Sequence, residues 1–343
     1  MPISMAVFGG GAFEAASMIR SLDRRPYRPS MLVDAIGFET VSASTDTVYI
    51  ASRQRYFNLV RSTLRGAPIE MAAPEDKNAR PLRIPRLAKG DKLFAHEIAN
   101  LVPFEDETET DMAARMIARK QEKLIDDCEA TFENMALGAL NGIILDTDGS
   151  TLVNFFTEFG IAAPGAIDLT LDNVAMTIGE LREKIGTLLT MPIARASGAG
   201  NDPRFQLRAL CGDNFWFKLT GHPAIEKTYL NYAAAAELRD QKVWESFVFG
   251  GVEWIHYRGT DDGTTMAIST NTARVFPVGV PGMWQHIMGP ANEFLPFMNQ
   301  AGRRFYPMLI EDNSGRSQWV QPEIYTYPLF VNARPDLVLT ATI

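Results

Sequence analysis

Six backbone breakers, Gly66, Pro68, Pro74, Pro81, Pro85 and Gly90, fall within 25 residues, directly ahead of the clearest amphipathic period in the chain. Proline removes a backbone donor and clashes with the preceding turn, so the first stretch cannot be helix. Around the breakers, short pieces set Leu82, Ile84 and Leu87 against Arg80, Arg83 and Arg86. With the strand-like Thr47 to Tyr56 this predicts a long two-stranded excursion with little core of its own. An isolated hairpin is marginal in water, and a long loop in a compact domain is usually functional. The excursion is therefore expected to pack on something outside its own subunit.

The period that follows runs through Ile117, Leu124, Cys128, Phe132, Met135 and Ala139 at spacings of three, four or seven. It predicts a helix of ~30 residues, ~45 Å long, capped at its start by Asp106 with Glu109 or by Thr108 and closed at Asn141-Gly142. Its far face carries Glu122, Asp126, Asp127, Glu129 and Glu133. Such a helix spans a subunit rather than filling a core.

Further along, Asp148-Gly149 predicts a hairpin in ILDTDGSTLVNFF, and Ile178 to Leu189 a shorter amphipathic helix. Ala196 to Pro203 reads as a surface loop, FQLRALCGDNFWFKL as strand and turn, and AIEKTYLNYAAAAELRD as helix. VWESFVFGGVEWIHYRG, GTTMAIST and ARVFPVGV read as strands with a turn from Thr260 to Gly263, and the C-terminal stretch is strand-like. Mixed helices and largely antiparallel strands without regular alternation make the fold class α+β.

With 343 residues, 46% of them hydrophobic, the chain can build more than one lobe. A formal net charge of -8 argues against a surface made to grip nucleic acid; it suits a wall that encloses DNA without binding its sequence, and equally the many cytosolic enzymes that are as acidic. No apolar run approaches a membrane span, and the start lacks a basic signal-peptide region, so the product is expected to stay where it is made. Cys128 and Cys211 form no Cys-x-x-Cys pair and are expected to be free thiols in a reducing compartment.

Catalytic, cofactor and metal sites are not expected. His96, His222, His256 and His286 lie far apart and none has helical ligand spacing. Gly9-Gly10-Gly11 lacks the rest of a phosphate-loop fingerprint and fits a flexible arm. Asp146-Thr-Asp148-Gly149 places Thr151 and Thr157 where a calcium loop needs Gly and Glu, so a hairpin turn suffices. No Gly-x-Ser-x-Gly elbow is present, and Asp126-Asp127 point about 100° apart around a helix axis, unlike an acid/base pair.

Charge is segregated instead. Residues 51–92 carry ten basic side chains and four acids, and residues 105–133 ten acids and four basic side chains. Either both are solvated faces, or a protruding basic loop lies along the acidic helix of a neighbour. In the second reading Arg80, Arg83 and Arg86 meet Glu122, Asp126 and Glu129 of another copy.

Arm, basic excursion, long helix, mixed lobe and closing strands, in that order, resemble the major capsid protein fold of tailed bacteriophages. The sequence is similar to the lambda-type major capsid protein E family in TDTVYIASRQ, FAHEIANLV, Tyr327-Pro328-Leu329-Phe330 and Arg334-Pro335-Asp336. The resemblance implies an N-terminal arm (1–50), an E-loop (51–103), a first peripheral part with the spine helix (104–165), an axial domain (166–300) and a second peripheral part (301–343). It also implies pentamers and hexamers of an icosahedral virion shell assembled in the host cytoplasm, without enzymatic activity. The partners implied are further copies of the chain, a separate scaffold protein, a portal and a decoration protein. Lys77, Lys89 and Lys92 lie where some relatives carry an isopeptide crosslink, but reliance on a decoration protein is the expectation for the lambda type. An encapsulin-like compartment and a soluble α+β enzyme are the rival readings.

Overall fold

The computed structural model describes residues 31–53, 77–99, 109–200, 202–225, 246–257, 259, 267–316 and 318–343. The Gly9 to Gly11 arm, residues 54–76 of the excursion, the caps at Asp106 and Thr108, the helix expected after Ile225 and the Thr260 turn lie outside them.

The spine helix runs from Glu109 to Asn141. Its expected stripe is the buried face: Ile117, Leu124, Cys128, Phe132, Met135 and Ala139 are each 5% exposed or less. It ends where the sequence asks for a left-handed residue, at Gly142 with φ +82°. A Cβ there would stand 2.3 Å from the Phe156 ring, so the position excludes any side chain on two counts. The buried Asn332 donates to the carbonyl of Ala139 at 3.2 Å, satisfying a helix-end acceptor.

The second half of the spine joins the first core, built with the three-stranded sheet of Glu39–Ser42, Trp284–Met288 and Pro328–Asn332. Pro328–Asn332 is buried at every residue, as a continuous apolar run predicts for a strand covered on both faces. The helix Met31–Ile36 docks here through Leu32 and Ile36, and the Leu32 N–H donates to the Glu133 carboxylate at 3.2 Å. A four-stranded sheet of Tyr306–Glu311, Trp319–Thr326, Leu87–Gly90 and Leu93–Phe94 lies along the first half of the spine and places Leu93, Val320 and Ile324 against it.

A second core lies beneath a six-stranded sheet, in the order Ser246–Phe249, Val252–His256, Gln206–Cys211, Thr272–Val278, Leu339–Thr342 and Ala166–Asp168. The C-terminal strand thus closes this sheet, antiparallel to Thr272–Val278 and parallel to Ala166–Asp168. Arg208 ties the two cores, donating to the Ala35 carbonyl at 2.7 Å while pairing with Glu253 at 2.8 Å.

Several local readings change. The helix predicted to stop near Leu189 continues from Ile178–Lys184 through a π-helical turn, Ile185–Thr190, into Met191–Ser197. Gly250 explains the wider turn in part: a Cβ there would meet Ile185 at 2.7 Å, and its carbonyl accepts from Thr190. The turn expected after Gln206–Cys211 is instead the helix Asp213–Thr220, whose Phe215, Trp216 and Leu219 fill the second core. The described part of GTTMAIST, from Ala267, forms no strand. The Asp148-Gly149 hairpin forms as expected, between Ile143–Leu145 and Thr151–Asn154.

Candidate assembly interface

The foot of the excursion is a two-stranded ribbon, Thr47–Arg53 antiparallel to Lys77–Arg83. Tyr49 pairs across from Pro81 and is 68% exposed, so this face is open. On the opposite face Leu82 is buried, yet Arg80, two residues further out on the same face, is exposed. The body of the subunit therefore ends between them. Arg83, on the face of Tyr49 and Pro81, is exposed too, so the two arginines leave the ribbon on opposite sides. Among the described residues neither makes an ion pair.

Arg86 behaves differently. Its Nε donates to Glu293 Oε1 at 2.8 Å and its guanidinium lies 5.0 Å from the centre of the Tyr325 ring. The hydrogen bond from Tyr327 to Glu293 completes the group. The bond to Glu293 holds the Arg86 pKa above its ordinary value. Burial pushes Glu293 upward, but the hydrogen bonds from Tyr327 and Arg86 outweigh it and leave the carboxyl below its ordinary range.

Two more ion pairs fasten the exit of the excursion to the spine: Lys89 to Asp127 at 2.7 Å and Lys120 to Asp91 at 2.9 Å. Lys92 adds a cation over the Trp319 ring at 4.3 Å. A basic loop against an acidic helix thus exists within one chain, carried by Lys89 and Asp127, which the charge count could not single out.

On the spine, Glu122 and Asp126 are exposed and one turn apart. Glu129 is partly buried and pairs with Arg304 at 3.3 Å. Arg304 also lies over the Phe132 and Phe305 rings, at 5.5 and 5.6 Å. Behind it His286 stacks on Phe330, with ring centres 4.2 Å apart and planes inclined by 8°. Burial, and then the nearby Arg304, push the His286 pKa down to about 4.

Of the six residues singled out by charge, then, Arg86 and Glu129 are engaged at home, Arg80 and Arg83 lie exposed on the ribbon, and Glu122 and Asp126 are exposed on the spine with contacts of their own. The contacts of Glu293 with Arg86 and Tyr327, and of Arg304 with Glu129, each span more than thirty residues of sequence and left no local signal. Among the described residues no three His, Cys, Asp or Glu side chains gather as a metal site, and no helix is long and apolar enough to cross a membrane. Cys128 and Cys211 are free and buried, and burial raises both thiol pKa values, Cys128 to about 11.

The model of the phage major capsid protein E family matches residues 14–343. The chain is 24% identical over 332 residues to the major capsid protein of Pseudomonas phage KPP10, covering 88% of this chain and 90% of that one. Among solved structures, a protein assigned to the capsid of an E. coli CFT073 prophage aligns with a TM-score of 0.57 at 14% identity, over 96% of this chain and 98% of that one. The capsid of cyanophage P-SCSP1u aligns at 0.50 with 12% identity, over 93% and 89%.

Proposed function

The chain belongs to the phage major capsid protein E family, and from that premise we propose how its copies hold one another. It is a structural capsid shell protein, not an enzyme, and its place is the virion capsid. It assembles into a multimeric shell; the compartment and enzyme readings are not favoured. The lobe under the six-stranded sheet takes the axial position in pentamers and hexamers. The spine and the sheets packed on it form the periphery. Against the expected 166–300 and 301–343 division, the place of Leu339–Thr342 in the six-stranded sheet supports counting that last strand with the axial lobe, and the place of Trp284–Met288 in the first core supports counting it with the periphery.

The observation that carries the interface is the exposure of Arg80 and Arg83 where the ribbon leaves the body. The excursion meets a neighbour there, and the neighbour's exposed Glu122 and Asp126 supply the opposite charge. Arg86 and Glu129 act as anchors that hold the two elements in shape within each subunit. Scaffold, portal and decoration proteins complete the particle, and the acidic chain encloses DNA without reading its sequence.

The test is charge reversal. Arg80→Glu with Arg83→Glu should leave a folded subunit that forms no shells in sedimentation or electron microscopy. Adding Glu122→Lys and Asp126→Lys in the same chain should restore them in part. Normal shells from the doubly reversed chain at low salt would show that these arginines are only a solvated face.

A further inference from the structure

The two feet of the excursion are held by consecutive residues of one short segment. At the entry, Asn292 donates its side-chain amide to Asp46 Oδ1 at 3.1 Å. At the exit, Glu293 accepts from Arg86 Nε at 2.8 Å. The feet also hold each other, since the Ile84 N–H donates to the Asp46 carbonyl at 3.0 Å.

The segment itself is rigidly seated. Just before it, the Gly289 N–H donates to the Tyr327 carbonyl at 2.7 Å, and a Cβ on Gly289 would stand 2.9 Å from Tyr327 and 3.0 Å from Ile84. Just after it, Phe294 packs edge-on against Tyr325, the ring over which Arg86 lies, and Phe297 is buried against Tyr306. Tyr327 anchors Glu293 from below.

We propose that Asn292-Glu293 is a two-pronged latch that fixes the angle at which the excursion leaves the body, and so the geometry in which it meets a neighbour. The second clause rests on the excursion reaching a neighbouring copy, as argued above. Both outer partners are solvent-accessible, with the Arg86 and Glu293 side chains 50% and 39% exposed. Exposed ion pairs are weak, so this latch can open without unfolding the core beneath it. Its position suits that role: among the described residues it holds the ribbon at its feet, where a small rotation displaces the far end most. The core contacts of Leu82 and Ile84 keep the ribbon attached when the latch is open.

The experiment uses the full chain carrying Asn292→Ala and Glu293→Gln, the second nearly isosteric. In unassembled subunits, amide hydrogen exchange over Thr47–Arg53 and Lys77–Arg83 should rise about fivefold to tenfold, while spine amides from Leu124 to Met135 keep their protection. In electron micrographs the same chain should give mis-sized or open particles. Reversing the pair, Arg86→Glu with Glu293→Arg, should return ribbon exchange toward the starting value. Unchanged ribbon exchange in the double variant would overturn the latch, as would spine amides that lose protection together with the ribbon. Faster ribbon exchange with normal particles would leave the latch standing in the subunit and overturn its part in assembly, along with the neighbour contact on which that part rests.

Discussion

The ribbon Thr47–Arg53 with Lys77–Arg83 and the exit strand Leu87–Gly90 belong to one basic stretch of sequence, yet their charges meet different fates. In the exit strand and the turns around it, Arg86, Lys89 and Asp91 are each paired with a charge of the same subunit. In the ribbon, Arg80 and Arg83 project from opposite faces, Arg80 beyond the buried Leu82 and Arg83 between Leu82 and the buried Ile84. The spine divides in the same way. Asp127, Glu129 and Glu133 bind Lys89, Arg304 and the Leu32 amide, and Glu122 and Asp126, which have contacts of their own, are the more exposed acids. A charge count sees one basic loop and one acidic helix; the fold pairs some of these charges within the subunit and leaves Arg80 and Arg83 exposed, with no ion pair among the described residues. Substitutions in the first set should therefore cost stability, and those in the second set assembly.

The largest stability effect expected at this junction comes from His286, buried behind the Arg304 and Glu129 pair. A histidine with a folded-state pKa of about 4 costs nothing above its ordinary value of 6.5. Between those values the unfolded chain takes a proton that the folded chain refuses, so stability falls as the solution is acidified and levels off below about 4. The loss is on the order of 3 kcal/mol, read from denaturant midpoints across that range. His286→Leu should flatten this part of the profile. A profile equally steep in the variant would assign the acid sensitivity to other groups.

Next comes Glu129→Ala, which takes the carboxylate from a partly buried Arg304 and should cost about 1–2 kcal/mol. Lys89→Ala, at a pair 55% and 38% exposed, should cost no more than about 1 kcal/mol, with most of that lost in 1 M salt. If Lys89→Ala proved the costlier of the two, burial would not be what ranks the ion pairs along the spine.

The legible parts of this fold were those with a local cause. The spine announced itself because burial on one face of a helix repeats along the sequence, from Ile117 to Ala139, and Gly142 marked its end through its own backbone. The ribbon was legible from its breakers and apolar residues, although Arg80 and Leu82 share a face, so the supposed alternation of arginine and leucine was really a boundary between exposed and buried ground. What sequence could not show depended on residues brought together from far away. Glu293 meets Arg86 across more than two hundred positions, and Leu339–Thr342 enters a sheet whose other strands lie well before it. The helix Asp213–Thr220 was missed for a different reason. Its run of Phe215, Trp216 and Phe217 reads as strand by β-propensity, and only packing into the second core decides otherwise.

The smallest expected change in subunit stability is also the most decisive for the comparison. Arg80→Ala with Arg83→Ala removes two exposed side chains that make no ion pair among the described residues, so the denaturant midpoint of the unassembled chain should stay within about 0.5 kcal/mol of the parent. Each contact they make with a neighbour contributes only ~0.2 to 1 kcal/mol, but a closed shell repeats it at every subunit. The concentration needed for assembly should therefore rise well beyond what the stability change could explain. High salt should weaken assembly of the parent, since the Debye length falls to ~3 Å at 1 M, and should affect the alanine chain less because its charges are already gone. Two observations would reverse the assignment. If the alanine chain assembled at the parent's concentration, the ribbon arginines would be solvent-facing charge with no partner; if it lost several kcal/mol as a subunit, they would belong with Arg86 among the anchors.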